Sequence, residues 1–354
     1  MTQQKRTWLF NFASSFSGGG LRRLIETAKY FDTNGGATFI INKKSEQFLQ
    51  QYSKNNIFFT VQPNKILRLL KDGYYLKKIL RKAKTPEIYF SYGLPIFFDV
   101  AKINWFHVSN ALSLTTKGIN LPFLKKLEMQ VLRNKILRSL EYADIISAES
   151  EFTLNLIKAR AESRNLSIFR SILPNGFNHS ELSSISKPQE CKDLYSITIG
   201  SYKYKRLELA YDIYNLLKQD EPRLNRFIIV GNKSDLSKRL SNNNEVAVYD
   251  IQERERLIKL ISGAEYYISA SQIENSSIAA LEGLILAKKT IVSDIPSHYE
   301  MLKHFQCDEI IDPKTGTKFL IPNVVEKNKL KSFPTWDKAI YQLNDILDKY
   351  SLSL

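Results

Sequence analysis

Tyr266-Tyr267-Ile268-Ser269-Ala270-Ser271-Gln272-Ile273-Glu274-Asn275-Ser276-Ser277-Ile278-Ala279-Ala280-Leu281-Glu282 changes its period midway. Tyr266–Ala270 is a short apolar run of the length that suits a buried strand, and from Ile278 the apolar residues Ile278, Leu281, Leu284 and Ile285 recur at helical spacing. The stretch is therefore a strand, a polar loop and a helix, which is half of a βαβ unit. The same rhythm extends outward. In the second half, strands are predicted at Ser196–Ile199, Phe227–Val230, Val246–Tyr249 and Thr290–Ser293. In the first half they are predicted at Thr7–Ala13, Ala37–Ile41, Ile57–Val61, Glu87–Tyr92, Ile103–Val108 and Ala143–Ala148. Alternating strands and helices predict an α/β class with parallel sheets covered by helices. We expect two Rossmann-like, doubly wound domains facing a cleft, with ligands beyond the carboxyl ends of the strands.

A chain of 354 residues exceeds what one core usually fills and favours two domains of about 150 residues each. The polar, Ser-rich run from Ser183 to Lys192, with Pro188, reads as a linker. The boundaries follow as 1–182, a linker at 183–192, 193–335, and a C-terminal helix at 336–354 packing back on the first domain. Cys191 and Cys307 cannot build a disulfide framework, and neither has a Cys or His at metal-ligand spacing. Uncharged runs such as Ile88 to Phe98 are interrupted by Gly93 and Pro95 and fall short of the roughly 20 apolar residues of a spanning helix. Lys5 and Arg6 ahead of Trp8-Leu9-Phe10 imitate a signal peptide, but Asn11 and Ser14-Ser15 cut the apolar region short, so a first buried strand is expected. The expected compartment is the cytoplasm.

The net charge of +15 is uneven. Residues 1–182 hold 27 Lys and Arg against 13 Asp and Glu, while the remainder holds 24 against 23. Such an asymmetry points to an anionic partner for the first half, a membrane surface, a phosphorylated lipid or a nucleic acid; a solvated basic surface is the plain alternative. Lys65 to Lys84 and Leu121 to Leu140 mix Leu, Ile and Phe with Lys and Arg, which suits an anionic membrane surface or packing helices with cationic outer faces. No recognised RNA or DNA module is present, so no nucleic-acid partner is expected.

Four places could carry chemistry. Glu274 and Glu282 flank a helix N-terminus, where an ionised carboxylate accepts strong hydrogen bonds from sugar hydroxyls and the N–H groups around Ser276, Ser277 and Ile278 can meet phosphate oxygens. An ordinary helix start with acids in its first turns has the same spacing. Ser17-Gly18-Gly19-Gly20 sits at a strand-to-helix turn, where glycine lets the backbone approach an anion, although a flexible turn looks the same. His107 ends a predicted strand; a lone histidine is equally compatible with a structural role. Gly200-Ser201-Tyr202-Lys203-Tyr204-Lys205-Arg206 places three cations after a buried strand, where they could neutralise a diphosphate or merely decorate a loop.

With these residues in view, the sequence resembles the retaining GT-B glycosyltransferases of family 4. The acid pair Glu274 and Glu282 carries the resemblance. It is joined by Ile258–Ser271 upstream, by Ala287–Pro296 downstream, by Pro174-Asn175-Gly176 and by Ala143–Ser150. The resemblance implies an N-terminal acceptor-binding domain and a C-terminal nucleotide-sugar domain. It implies that Glu274 contacts the donor sugar, that Glu282 contacts the ribose, and that Asn275, Ser276, Ser277 and Ile278 line the phosphate and sugar. Lys205 matches a diphosphate-binding lysine, Gly18 and Gly19 a glycine loop, and His107 a first-domain histidine near the reacting sugar. The family's usual Arg after Gly200 is Ser201 here, so Lys203 or Arg206 must supply the second charge. The resemblance implies no cofactor beyond the nucleotide-sugar substrate and no metal, and the chain has no Asp-x-Asp triplet. Taken with the basic first half, it leads to the expectation of an acceptor that is a glycan or lipid-linked oligosaccharide, at the inner face of a bacterial membrane, in surface polysaccharide assembly. A catalytically inactive GT-B scaffold that binds nucleotide or glycan is the alternative.

Overall fold

The computed structural model describes residues 6–61, 65–82, 85–119, 121–164, 166–178, 194–250, 252–323 and 333–354, with the side chains of 65–72 left aside. The expected linker at 183–192 and parts of Lys65–Lys84 lie outside the described residues. The chain divides into two compact units. The first holds Met1–Thr115, Phe123–Gly176 and Pro334–Leu354, and the second holds Thr116–Pro122 and Phe177–Phe333.

The first unit is a seven-stranded sheet in the order β3-β2-β1-β4-β5-β6-β7. Its strands are β1 (Trp8–Phe12), β2 (Thr38–Asn42), β3 (Ile57–Val61), β4 (Ile88–Tyr92), β5 (Ile103–Val108), β6 (Ile145–Ala148) and β7 (Phe169–Ile172). All pairings are parallel, with Phe10 opposite Phe39 on one side and Phe90 on the other. Every residue of β1 is buried because both faces of the sheet are covered. Trp8, Phe10 and Phe12 point to one face. There Phe10 stacks on Phe39 at 5.1 Å, and α1 (Gly18–Thr33) covers them with Leu24, Ala28 and Phe31. The C-terminal helix Trp336–Ser351 lays Ile340, Leu343, Ile346 and Leu347 on the same face. The opposite face carries Leu9, Ile40, Tyr89, Phe106 and Ile146. Helices α2 (Lys65–Leu80), α3 (Phe123–Ser139) and α4 (Glu151–Glu162) cover it through Leu76, Ile79, Ile136 and Ile157.

Arg23 of α1 holds the Pro174-Asn175-Gly176 turn in the first unit. Its guanidinium donates to Asn175 Oδ1 at 3.2 Å and to the carbonyls of Leu173 and Pro174. The Gly176 Cα faces the start of the C-terminal helix so closely that an added Cβ would lie 2.4 Å from the Trp336 Cα. The glycine is required there by space.

The second sheet also has seven strands, in the order β10-β9-β8-β11-β12-β14-β13. They are β8 (Leu194–Ile199), β9 (Leu224–Val230), β10 (Val246–Tyr249), β11 (Tyr266–Ser269), β12 (Lys289–Ser293), β13 (Cys307–Ile311) and β14 (Lys318–Pro322). The last two strands join antiparallel, which departs from the expected parallel sheet. Helix α5 (Leu207–Asp220) packs on Phe227, Ile229, Ile268 and Ile291. The other face, with Ile197, Ile228, Tyr267 and Val292, is covered by α6 (Arg254–Ser262) and α7 (Ile278–Leu286). A short helix, α8 (Pro296–Leu302), follows β12 with proline in its first turn, where no N–H is needed. No described helix is long and apolar enough to cross a membrane.

Candidate active site

In an open parallel sheet, ligands bind where the strand order reverses, beyond the carboxyl ends of the two central strands. In the second unit that point lies between β8 and β11, which run parallel with Ser196 opposite Tyr266. The loop after β8 carries Lys205 and the loop after β11 carries Glu274. Sixty-nine residues apart in sequence, the two meet: Lys205 Nζ lies 2.5 Å from Glu274 Oε1, with each side chain 13% exposed.

Local structure prepares this contact. Gly200 has φ +96°, a conformation that side chains resist, and the stem of Lys205 runs over it, with Cε 3.2 Å from where a Cβ would stand. The loops are joined by the backbone N–H of Gln272 donating to the Tyr204 carbonyl at 2.8 Å. Ser271 donates a second hydrogen bond to Glu274 Oε1 at 2.7 Å. Burial pushes the Glu274 carboxyl up, but the Lys205 charge and the hydrogen bonds from Lys205 and Ser271 outweigh it, and the group rests below its ordinary value. Glu274 is therefore ionised at neutral pH and faces a fixed cation. Ser277 caps α7, its Oγ accepting from the Ala280 N–H at 3.2 Å. The backbone around Ser276, Ser277 and Ile278 thus stands at a helix N-terminus one short loop from Glu274.

Glu282 lies further along α7 and is buried. Its Oε1 receives a 2.5 Å contact from Arg254 Nη1, at the start of α6. Reading the sequence missed Arg254, although a cation in the first turn of a helix opposes the helix dipole and marks a residue held there by something else. Both carboxylates bear on the Tyr267 phenol, which burial first, then Glu274 and Glu282, hold well above its ordinary value.

Arg206 differs from the expectation that it could supply the second phosphate charge. Its Nε donates to the Ala270 carbonyl at 2.6 Å and its Nη2 to the Ser271 carbonyl at 3.4 Å, so the guanidinium clamps the end of β11. Among the described residues it alone, apart from glycines, has positive φ, at 48°. That conformation costs about 1 kcal/mol, and the paired carbonyls offset it. Lys203 is the exposed cation of this loop. Ser201, standing where the resemblance expects Arg, donates to Asp235 Oδ2 at 2.8 Å and accepts from the Asn232 N–H. Asn275 is buried beside Glu274 in sequence.

The first unit has its own reversal between β1 and β4. Gly18 and Gly19 open α1 after β1, and Gly18 has φ +58°. His107, near the end of β5, is wholly buried between the rings of Phe90 and Tyr92, at 5.6 and 5.1 Å. Its Nδ1 lies 2.8 Å from Ser147 Oγ, which also accepts from Trp105 Nε1, and its Nε2 lies 3.7 Å from Glu149 Oε1. Tyr92 donates to the same Glu149 oxygen at 2.8 Å. In this structure His107 is a member of a buried polar cluster.

A second buried histidine was not singled out from the sequence. His298 of α8 donates from Nδ1 to the Ser293 carbonyl at 2.8 Å, and Ser293 Oγ donates to the Ser271 carbonyl, behind Glu274. Burial brings both His107 and His298 down to about 4. The unfolded chain then takes up two protons near pH 6.5 that the folded chain refuses. Stability is full above that pH and falls as pH drops from about 6.5 to about 4, by roughly 3 kcal/mol per histidine. Urea unfolding between pH 7.5 and 4.5 should show this slope, and His298→Gln should reduce it. An unchanged slope in the variant would count against the assignment.

Residues 183–321 match the family described as glycosyl transferases group 1, which supports a glycosyltransferase. No curated protein matches the chain. Among solved structures, Anabaena HepE in complex with UDP and glucose superposes with a TM-score of 0.63 at 14% identity, covering 99% of this chain and 100% of that one. The N-terminal domain of Candida albicans trehalose-6-phosphate phosphatase gives a TM-score of 0.63 at 13% identity, with 98% of each chain covered. The UDP-forming α,α-trehalose-phosphate synthase of Burkholderia vietnamiensis gives 0.59 at 8% identity, covering 84% of this chain and 87% of that one. The fold is GT-B, two Rossmann-like α/β units.

Proposed function

We propose that this protein is a retaining, metal-independent glycosyltransferase. It moves a sugar from a nucleotide-sugar donor to a glycan or lipid-linked oligosaccharide acceptor in bacterial surface polysaccharide assembly (O-antigen, capsule or lipopolysaccharide). The observation that carries this reading is the Lys205–Glu274 pair at the reversal point of the second sheet. HepE, whose fold this chain shares, is a complex with UDP and glucose, which supports a nucleoside diphosphate donor.

Before a donor arrives, the ammonium and the carboxylate neutralise each other, both side chains being largely buried. A diphosphate competes for Lys205, and sugar hydroxyls donate to Glu274. As the sugar–phosphate bond breaks, negative charge grows on the diphosphate while the sugar becomes oxocarbenium-like. A fixed cation and the N-terminus of α7 stabilise that charge because they are oriented beforehand. The acceptor hydroxyl attacks from the face the diphosphate leaves, and a phosphate oxygen takes its proton, so the anomeric configuration is retained. Glu282, held by Arg254, is proposed to bind the ribose, with Arg254 as its alternative partner. His107 is proposed to shape the sugar end of the first unit through the Tyr92–Glu149 cluster. The excess of Lys and Arg in residues 1–182 fits an acceptor anchored in an anionic membrane, with the protein at its cytoplasmic face.

The test is hydrolysis of a panel of nucleotide sugars by the purified protein, followed by transfer with retention read by NMR. One donor losing its sugar, with the released nucleoside diphosphate in equal amount, is the expected result. A chain that turns over no donor, yet binds one, would replace this reading with a binding scaffold.

A further inference from the structure

We propose that α3 presents an outward apolar row with which the first unit docks on the surface of an anionic lipid bilayer. This rests on the membrane partner named in the proposed function and identifies the face that makes the contact. A helix covering a sheet turns its apolar residues inward, and α3 does so with Met129 and Ile136. The same helix carries a second apolar set on its other side: Phe123, Leu124, Leu127 and Val131 are 79%, 76%, 49% and 43% exposed. Phe123, Leu127 and Val131 are four residues apart and lie along one line of the helix. With apolar residues on both sides, the helix has little net amphipathic signal, and the outer row is visible only once burial is known.

The charge around this row is one-sided. Helix α3 contains Lys125, Lys126, Arg133, Lys135 and Arg138 against a single acid, Glu128, which is tied to Lys125 at 2.7 Å. The surface continues toward α2. Lys135 Nζ lies 5.7 Å from the Phe97 ring, Lys77 Nζ lies 5.0 Å from the Phe98 ring, and Tyr74 of α2 is 66% exposed.

A second copy of the chain meeting this face through a two-fold axis would set cation against cation. A nucleic acid would satisfy the cations but leave Phe123 and Leu127 in water. A bilayer surface accepts both: apolar side chains enter below the headgroups while Lys and Arg reach the phosphates on flexible stems. Anionic lipid adds attraction that weakens with salt.

The test is co-sedimentation of the full-length protein with vesicles of phosphatidylcholine alone or mixed with phosphatidylglycerol. The protein should bind the mixed vesicles, release in about 0.5 M salt, and bind phosphatidylcholine weakly. Phe123→Ser with Leu127→Ser should weaken binding about tenfold or more, and hydrolysis of a soluble donor should not change. Both substituted residues are exposed, so folding is not at stake. No binding to mixed vesicles, or binding by the double variant as tight as that of the parent, overturns the proposal. So does a concentration-dependent dimer that the double variant dissolves, which assigns the face to self-association. Vesicle binding without donor turnover leaves the docking face standing and removes the proposed transferase activity, so the two failures are distinct.

Discussion

Lys205→Ala is expected to lower kcat/KM for the accepted donor by about 10²- to 10³-fold, the usual effect of removing one fixed group that stabilises transition-state charge. The effect should fall mainly on kcat, because the diphosphate carries more negative charge as the bond breaks than in the bound donor. Glu274→Gln should act in a different manner. The amide keeps the shape but loses the charge-assisted hydrogen bonds to sugar hydroxyls, so KM should rise together with a fall in kcat. Each single variant also strands its partner, since both side chains are 13% exposed and 2.5 Å apart. The double variant should therefore be less damaged than the product of the two single effects. Initial-rate kinetics on the four proteins, with unfolding curves to separate stability from chemistry, read all of this. Lys205→Ala with more than half the parent's kcat would remove the lysine from the proposed mechanism.

Gly283→Ala should destabilise the protein by about 3 kcal/mol or more, through overpacking against a neighbour that cannot yield. Gly283 lies in α7 where the helix crosses β11, and a Cβ there would stand 2.2 Å from Cγ of Tyr267. The Tyr267 ring is buried, at 1% exposure, and Cγ is bonded directly to its own Cβ, so the clash falls at the root of the side chain rather than at a flexible end. The helix must lift, and with it Ser276, Ser277 and Glu282, so donor turnover should fall as well. Gly73→Ala in α2 offers the opposite sign. Its Cβ would meet only ordinary contacts, the nearest at 3.8 Å, and alanine in a helix interior gains about 1 kcal/mol over glycine. Urea midpoints moving in the same direction for both would refute the packing argument.

Much of this fold was legible in local sequence. A strand buried on both faces must be apolar along its length, and β1, β4 and β6 are buried throughout and read that way; the edge strands β3 and β10 are only partly buried but keep an apolar run. The strands β7, β13 and β14 were not predicted. β7 is half-buried and contains Arg170, and β13 places Asp308 and Glu309 in water, so neither shows an unbroken apolar run. β14 has such a run, but it pairs antiparallel, outside the strand–helix rhythm that guided the reading. The glycines that open α1 and precede α5 and the polar loop around Glu274 were also visible, because they follow from the geometry of a strand turning into a helix, whereas the cap that Ser277 provides emerged from the structure.

Alone, the sequence determined most of the strands, the helices that follow them and which of their ends carry charge, since periodicity and turn chemistry act over a few residues. Tertiary structure decided which ends meet. That β8 lies beside β11 is a matter of sheet order, set by packing across the whole domain, and only this order joins Lys205 to Glu274 across 69 residues. The same holds for Arg254 reaching Glu282, for Arg206 turning into the carbonyls of Ala270 and Ser271, and for His107 closing inside the Tyr92–Glu149 cluster. A charge read in sequence is a candidate for any partner within reach; burial, which is not local, leaves it one.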